Sequence, residues 1–100
     1  MSILSSTTQV TFEEVKNHPV VQKMTSKFVS IQRDDVARAF YRTWIKHYNA
    51  WESIERKEQH SIDNISRITW DNKAKLFKVY YKKTKNFSPV WYHYTNGEWY

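Results

Sequence analysis

Lysine and tyrosine alternate through residues 78–83, which read KVYYKK, and this spacing is the clearest chemical pattern in the sequence. Alternate side chains of a β-strand share one face, so Lys78, Tyr80 and Lys82 are expected to lie side by side. Aromatic rings stack on nucleobases and lysines neutralise phosphates, which is the chemistry that holds one strand of RNA or DNA. The pattern therefore favours single-stranded over duplex nucleic acid as the partner.

The positive charge of the chain is concentrated near its C-terminal end. Residues 66–100 contain seven Lys and Arg residues against two acidic residues, and so carry +5 of the net charge of +6. A polyanion is the partner that such a segment would attract. The alternative, that this charge only keeps a small protein in solution, stays open.

A second row of cations is predicted on a helix, where Arg38, Arg42 and Lys46 recur every four residues. Such a row suits a phosphate backbone or an acidic protein surface, although it is also what a solvated helix face carries. The two groups would form one patch only if they lay on the same side of the fold. The predicted nucleic-acid-binding residues are Arg67, Lys78, Tyr80, Lys82, Lys83, Arg38, Arg42 and Lys46.

A cluster of aromatic residues at the C-terminal end gives an alternative function. It consists of Trp91, Tyr92, Tyr94, Trp99 and Tyr100. Trp and Tyr are the residues that most often anchor protein interfaces, so this cluster predicts a docking site of an inhibitor, adaptor or subunit. The same rings could instead complete a core between the helices and the sheet.

Nothing in the sequence indicates catalysis. It has no cysteine, its four histidines lack metal-ligand spacing, and it has no glycine-rich phosphate loop or nucleophile elbow. We therefore expect a protein that is not an enzyme and that needs neither a cofactor nor a metal. A deep pocket where His47 or His93 meets carboxylates would reverse that expectation.

Three helices are predicted in the first half. Thr11 and Glu14 have the spacing of a capping box, so the first helix begins at Thr11 and stops near Asn17. A second is expected over residues 19–30. The third, over residues 35–58, is long and amphipathic.

The long helix is predicted from a stripe that includes Val36, Phe40 and Trp44, spaced to face a core. Asp34 or Asp35 is the expected N-cap, because a short acidic side chain accepts a hydrogen bond from the first turn.

Strands are predicted after residue 60, over residues 65–70, 76–82, 90–94 and 98–100. Asn96-Gly97 marks a type I′ hairpin turn. Alternation places Arg67, Thr69, Lys78, Tyr80 and Lys82 on the outer face, joined either by Tyr92 and Tyr94 or by Trp91 and His93.

The order of elements predicts an α+β fold in which N-terminal helices, one of them long and amphipathic, pack on one face of a three- to four-stranded antiparallel meander. Residues 1–10 are expected to be a flexible segment and residues 11–100 a single domain. No signal peptide or membrane span is recognised, so a cytoplasmic protein with no membrane partner is expected. Its oligomeric state is left open.

Overall fold

Residues 10–100 are described by a computed structural model, in which helices come first and strands follow. The helices are α1 (Phe12–Lys16), α2 (Pro19–Thr25), α3 (Ser30–Ala50) and α4 (Ile54–Gln59), followed by a 3₁₀ turn (Ile62–Asn64). The strands are β1 (Ile65–Asp71), β2 (Leu76–Tyr81), β3 (Val90–Thr95) and β4 (Glu98–Trp99). They form one antiparallel sheet in the order β1-β2-β3-β4, which confirms the predicted α+β meander.

The start of α1 follows the predicted capping box. The Thr11 hydroxyl accepts from the Glu14 amide at 3.2 Å, and the Glu14 carboxylate accepts from the Thr11 amide at 3.1 Å. Packing begins one residue earlier, because the Tyr41 hydroxyl donates to the Val10 carbonyl at 2.7 Å. Residues 1–9 of the predicted flexible segment lie outside the described residues.

Helix α2 begins at Pro19 as predicted but ends at Thr25 rather than at residue 30. The Arg33 guanidinium donates to the carbonyls of Phe28 (3.0 Å) and Ser26 (3.4 Å). These bonds satisfy carbonyls in the turn that follows the helix, and so stabilise a break that the apolar spacing does not reveal.

Helix α3 begins at Ser30, and the predicted cap at Asp34 or Asp35 is wrong. Both acids lie inside the helix, whose N-cap is Val29 without a side-chain hydrogen bond. Asp34 instead pairs with Lys16 of α1 at 3.2 Å. Asp34, which local sequence rules assign to the N-cap, therefore forms an ion pair between α1 and α3 instead.

The predicted helix over residues 35–58 is two helices. Helix α3 ends at Ala50, Trp51 is extended, and the Ser53 hydroxyl caps α4 by accepting from the Arg56 amide at 3.1 Å. The break lets the Trp51 ring stack on His60, with ring centroids 4.5 Å apart. Burial of an aromatic pair thus accompanies the break in an otherwise unbroken helical pattern.

The core lies between α3 and the inner face of the sheet. The Phe40 ring meets Phe77 edge-on at 5.8 Å and stacks on Tyr94 at 5.9 Å. The buried apolar residues shared by the layers include Ala37, Phe40, Trp44, Ile68, Phe77, Val79, Tyr81 and Tyr94. One sheet face is therefore covered by helix and the other is left to solvent.

The turn between β3 and β4 has the predicted backbone, with φ of 47° at Asn96 and 80° at Gly97. Both values lie in the left-handed region that a type I′ turn requires. The turn is also tied to α3, since the Gly97 amide donates to the buried Thr43 hydroxyl at 2.9 Å.

Replacing Thr43 by valine is expected to destabilise the fold by about 1–3 kcal/mol, because the buried Gly97 amide loses its acceptor. Urea unfolding measures the loss, and hydrogen exchange should show faster exchange of the Gly97 amide. The matched Thr69→Val change, in a half-buried residue of β1, should cost much less. Equal losses in the two variants would contradict this role for Thr43.

Candidate nucleic-acid interface

The outer face of the sheet is the side turned away from α3, and it carries alternating cations and rings. Strand register places Arg67, Thr69, Lys78, Tyr80, Trp91, His93 and Tyr100 there. For β3, the outward pair is Trp91 and His93, while Tyr92 and Tyr94 point to the core. We call this set of seven residues the outer face.

The first row of the outer face crosses three strands. Arg67 is paired with Tyr80, and Tyr80 with Trp91. The Arg67 guanidinium lies 4.3 Å from the centre of the Tyr80 ring, and the Tyr80 and Trp91 rings stack at 5.8 Å with 24° between their planes. Trp91 is 49% exposed, so the row ends in an accessible aromatic surface.

The second row contains Lys78, His93 and Tyr100. Lys78 is paired with His93, whose backbone exchanges two hydrogen bonds with that of Tyr100. The His93 and Tyr100 rings stack at 4.7 Å, and Trp91 meets His93 edge-on at 4.9 Å. This last contact joins the two rows into one layer, in which Tyr100 is 67% exposed.

Negative charge lies at one end of the sheet, where Asp71 ends β1 and Glu98 lies in β4. The Asp71 carboxylate accepts from the amides of Ala74 (2.9 Å) and Lys73 (3.0 Å). These bonds, the Ala74 bond foremost, and the nearby charge of Lys78 lower the pKa of Asp71. This carboxylate therefore stays ionised, and it makes that end of the sheet unfavourable for an anion.

Lys82 and Lys83 are exposed where the chain leaves β2. The Lys82 amide donates to the Asn64 carbonyl at 2.9 Å, which fixes the backbone there. Lys82 keeps the parity of Lys78 and Tyr80, so it extends the line of outward residues along β2 beyond the strand end.

Two of the three helix cations lie away from the outer face, and the third borders it. Arg38 lies over the Phe12 ring at 4.2 Å, and Arg42 lines an apolar groove of about 220 Å³ on the helix side of the sheet. Lys46 lies beside Gly97 at the β3–β4 turn, where it lines a shallow hollow together with Tyr100 of the outer face. The structure therefore separates Arg38 and Arg42 from the predicted sheet cations, whereas Lys46 lies at the edge of the outer face.

The five C-terminal aromatic residues do not form one exposed cluster. Tyr94 is fully buried, Tyr92 and Trp99 pack partly buried against the core, and only Trp91 and Tyr100 are exposed. Alternation along β3 and β4 is the reason, because it sends neighbouring rings to opposite faces. The predicted docking cluster is therefore wrong for Tyr94, whose side chain is buried and not available to a partner.

A buried histidine–tyrosine network lies beneath the sheet, and sequence reasoning missed it. The rings of His47 and His60 lie 4.9 Å apart, and His47 Nδ1 is 2.6 Å from the Tyr94 hydroxyl. His60 Nδ1 faces the Arg56 carbonyl at 2.7 Å and so carries the proton, leaving Nε2 to accept from Tyr92 at 3.0 Å. The position of His47, on the stripe of Phe40 and Trp44, was the available signal.

Burial keeps this network neutral. It lowers the pKa of His47 to about 3, with a smaller contribution from the neighbouring His60, and it also lowers the pKa of His60. Burial raises the pKa of Tyr81 and Tyr94, whose hydroxyls are hydrogen-bonded to each other. Within the described chain no carboxylate hydrogen-bonds to His47 or His60.

Within residues 10–100, no three His, Cys, Asp or Glu side chains are grouped closely enough to hold a metal ion. In the same residues, no helix combines the length and the apolar character needed to cross a membrane.

Comparisons with protein-family models, with curated proteins and with solved structures find no match. The fold and the site define the protein by class, as a small α+β domain whose four-stranded sheet exposes a basic and aromatic face.

Proposed function

We propose that this protein is a non-enzymatic binding module of the cytoplasm that holds single-stranded nucleic acid on its outer face. The observation that carries the proposal is the contact between two rows, Arg67–Tyr80–Trp91 and Lys78–His93–Tyr100. The rings and the cations lie next to each other on one solvent-facing surface.

Each part of this surface matches one part of a nucleotide. The exposed rings of Trp91 and Tyr100 offer flat surfaces to bases, and each stacked base contributes about 1–3 kcal/mol. Arg67 is paired with Tyr80 and Lys78 with His93, the residues that stack on those rings, and from there the two cations can neutralise the phosphates that follow each base. Bases in a duplex are already stacked on one another, so a single strand fits this surface better.

The alternative partner is a protein that docks on the exposed C-terminal aromatic residues. The exposure of Trp91 and Tyr100 favours it, because half-exposed aromatic residues are common anchors of interfaces. It predicts binding that depends on Trp91 and changes little with salt, whereas binding to a nucleic acid weakens steeply as salt rises.

Binding is tested by fluorescence anisotropy of a labelled oligothymidylate, titrated with the protein across a salt series. Trp91→Ala is expected to weaken binding about 5- to 150-fold with little change in salt dependence, because it removes stacking. Lys78→Gln should reduce the slope of log affinity against log salt by about 0.7, because one phosphate contact is lost.

Arg38→Gln is the charge-matched control, since Arg38 lies on the helix side of the fold. It should leave both the affinity and the slope close to those of the unchanged protein. The proposal fails if the unchanged protein shows no binding at low salt, or if Arg38→Gln and Lys78→Gln act alike.

A further inference from the structure

A second basic feature borders the outer face. Helix α2 packs against β1, and a groove of about 310 Å³ runs between them. Three cations line it, namely Lys23, Lys27 and Arg67, together with the hydroxyl residues Ser66 and Thr69. No acidic side chain lines this groove, so its potential is positive.

Arg67 and Thr69 belong both to the groove and to the outer face. The Arg67 guanidinium carries five N–H donors, and it lies over the face of the Tyr80 ring, 4.3 Å from the ring centre. Within residues 10–100 the Arg67 side chain makes no ion pair or hydrogen bond. It is therefore placed to donate to an anion between the two surfaces.

An irregularity in β1 shapes this border. The pairing register of β1 shifts between Ile65 and Arg67, so Ser66 and Arg67 are consecutive exposed residues. The Ser66 hydroxyl donates to the Tyr80 carbonyl at 3.1 Å, which holds the irregular segment against β2. A β-bulge at an edge strand is a common means of redirecting a side chain, here that of Arg67.

We propose that the groove between α2 and β1 holds phosphate groups of the bound single strand. The strand then crosses the sheet from Trp91 over Tyr80 to Arg67 and continues over the β1 edge to Lys23 and Lys27. The groove favours this direction, because three cations and no acidic side chain line it, whereas Glu98 lies in the opposite edge strand. Asp71 also belongs to β1, but it lies at the end of that strand away from Ser66 and Arg67. The inference rests on the proposed function, since it extends the path of the same ligand.

The test uses the double variant Lys23→Gln/Lys27→Gln and an oligothymidylate long enough to reach the groove. Loss of two phosphate contacts should reduce the salt slope by about 1.4 and weaken binding at low salt. Quenching of tryptophan fluorescence at saturation should stay unchanged, because stacking on Trp91 is untouched. Arg38→Gln/Arg42→Gln removes the same charge from α3, on the helix side of the sheet, and should leave the slope unchanged.

Oligothymidylate length separates groove binding from a general charge effect. A fragment too short to leave the outer face should bind the Lys23→Gln/Lys27→Gln variant as well as it binds the unchanged protein. If the longer oligonucleotide binds but this variant has the slope of the α3 control, the groove assignment is overturned and the proposed function stands. If no oligonucleotide binds the unchanged protein, the proposed function and this inference fail together.

Discussion

Trp44→Ala is expected to unfold most of the protein at room temperature or to lower its melting temperature by at least about 12 °C. Trp44 is fully buried, its ring stacks on Tyr48 at 5.1 Å, and its indole N–H donates to the His60 carbonyl at 3.0 Å. Removing a buried tryptophan costs about 3–5 kcal/mol through lost contacts and the cavity left behind. The His60 carbonyl also loses its donor, which adds to the loss.

Thermal melting followed by circular dichroism measures this effect, and Trp91→Ala is the matched control. The Trp91 ring is half-exposed, so its removal should cost about 1 kcal/mol or less. If the Trp44→Ala and Trp91→Ala proteins had the same melting temperature, the placement of Trp44 between the layers would be contradicted.

Acid is expected to destabilise the fold between about pH 6.5 and pH 3, through His47 above all. Burial lowers the pKa of His47 to about 3 from an ordinary value of 6.5. Over that range the unfolded chain binds a proton that the folded chain excludes, so stability falls as the pH falls and levels off near pH 3. One pKa unit corresponds to about 1.4 kcal/mol, which limits the loss from His47 to about 5 kcal/mol. Burial lowers the pKa of His60 as well, so it acts in the same direction.

Urea unfolding at a series of pH values measures the dependence. His47→Gln should flatten the curve of unfolding free energy against pH, whatever its effect on stability at neutral pH. Thr43→Val is the control, because it perturbs the buried layer without removing a titrating group, and it should keep the shape of the curve. The lowered pKa of Asp71 also makes stability fall with acid, but only below the ordinary carboxyl pKa of 3.8. A loss of stability between about pH 6.5 and pH 4 is therefore assigned to the histidines. Equal stability at about pH 6.5 and pH 4 would contradict the burial of His47.

The features that sequence reasoning predicted correctly depend on neighbouring residues. The capping box at Thr11, the left-handed turn at Asn96-Gly97 and the side-chain alternation along β2 each arise within a few residues. Backbone sterics and short hydrogen bonds decide them, so they can be read before the rest of the fold is known.

The boundaries of α3 could not be predicted, because distant contacts compete with local signals. Lys16 pairs with Asp34, which removes that acid from the expected cap, and His60 stacks on Trp51 at the point where the helix stops. Helical spacing continues through both positions, so the sequence alone gives no sign of either change.

By itself, the sequence determined the α+β class, the meander and the alternation that gathers Lys78, Tyr80 and Arg67 on one face. Only the tertiary structure decided which rings of β3 join them, that Arg38 and Arg42 lie on another layer, and that Lys23 and Lys27 lie in one groove with Arg67. The reason is physical: strand parity is fixed by the backbone, whereas the side that becomes solvent is fixed by where the long helix finds apolar surface to bury.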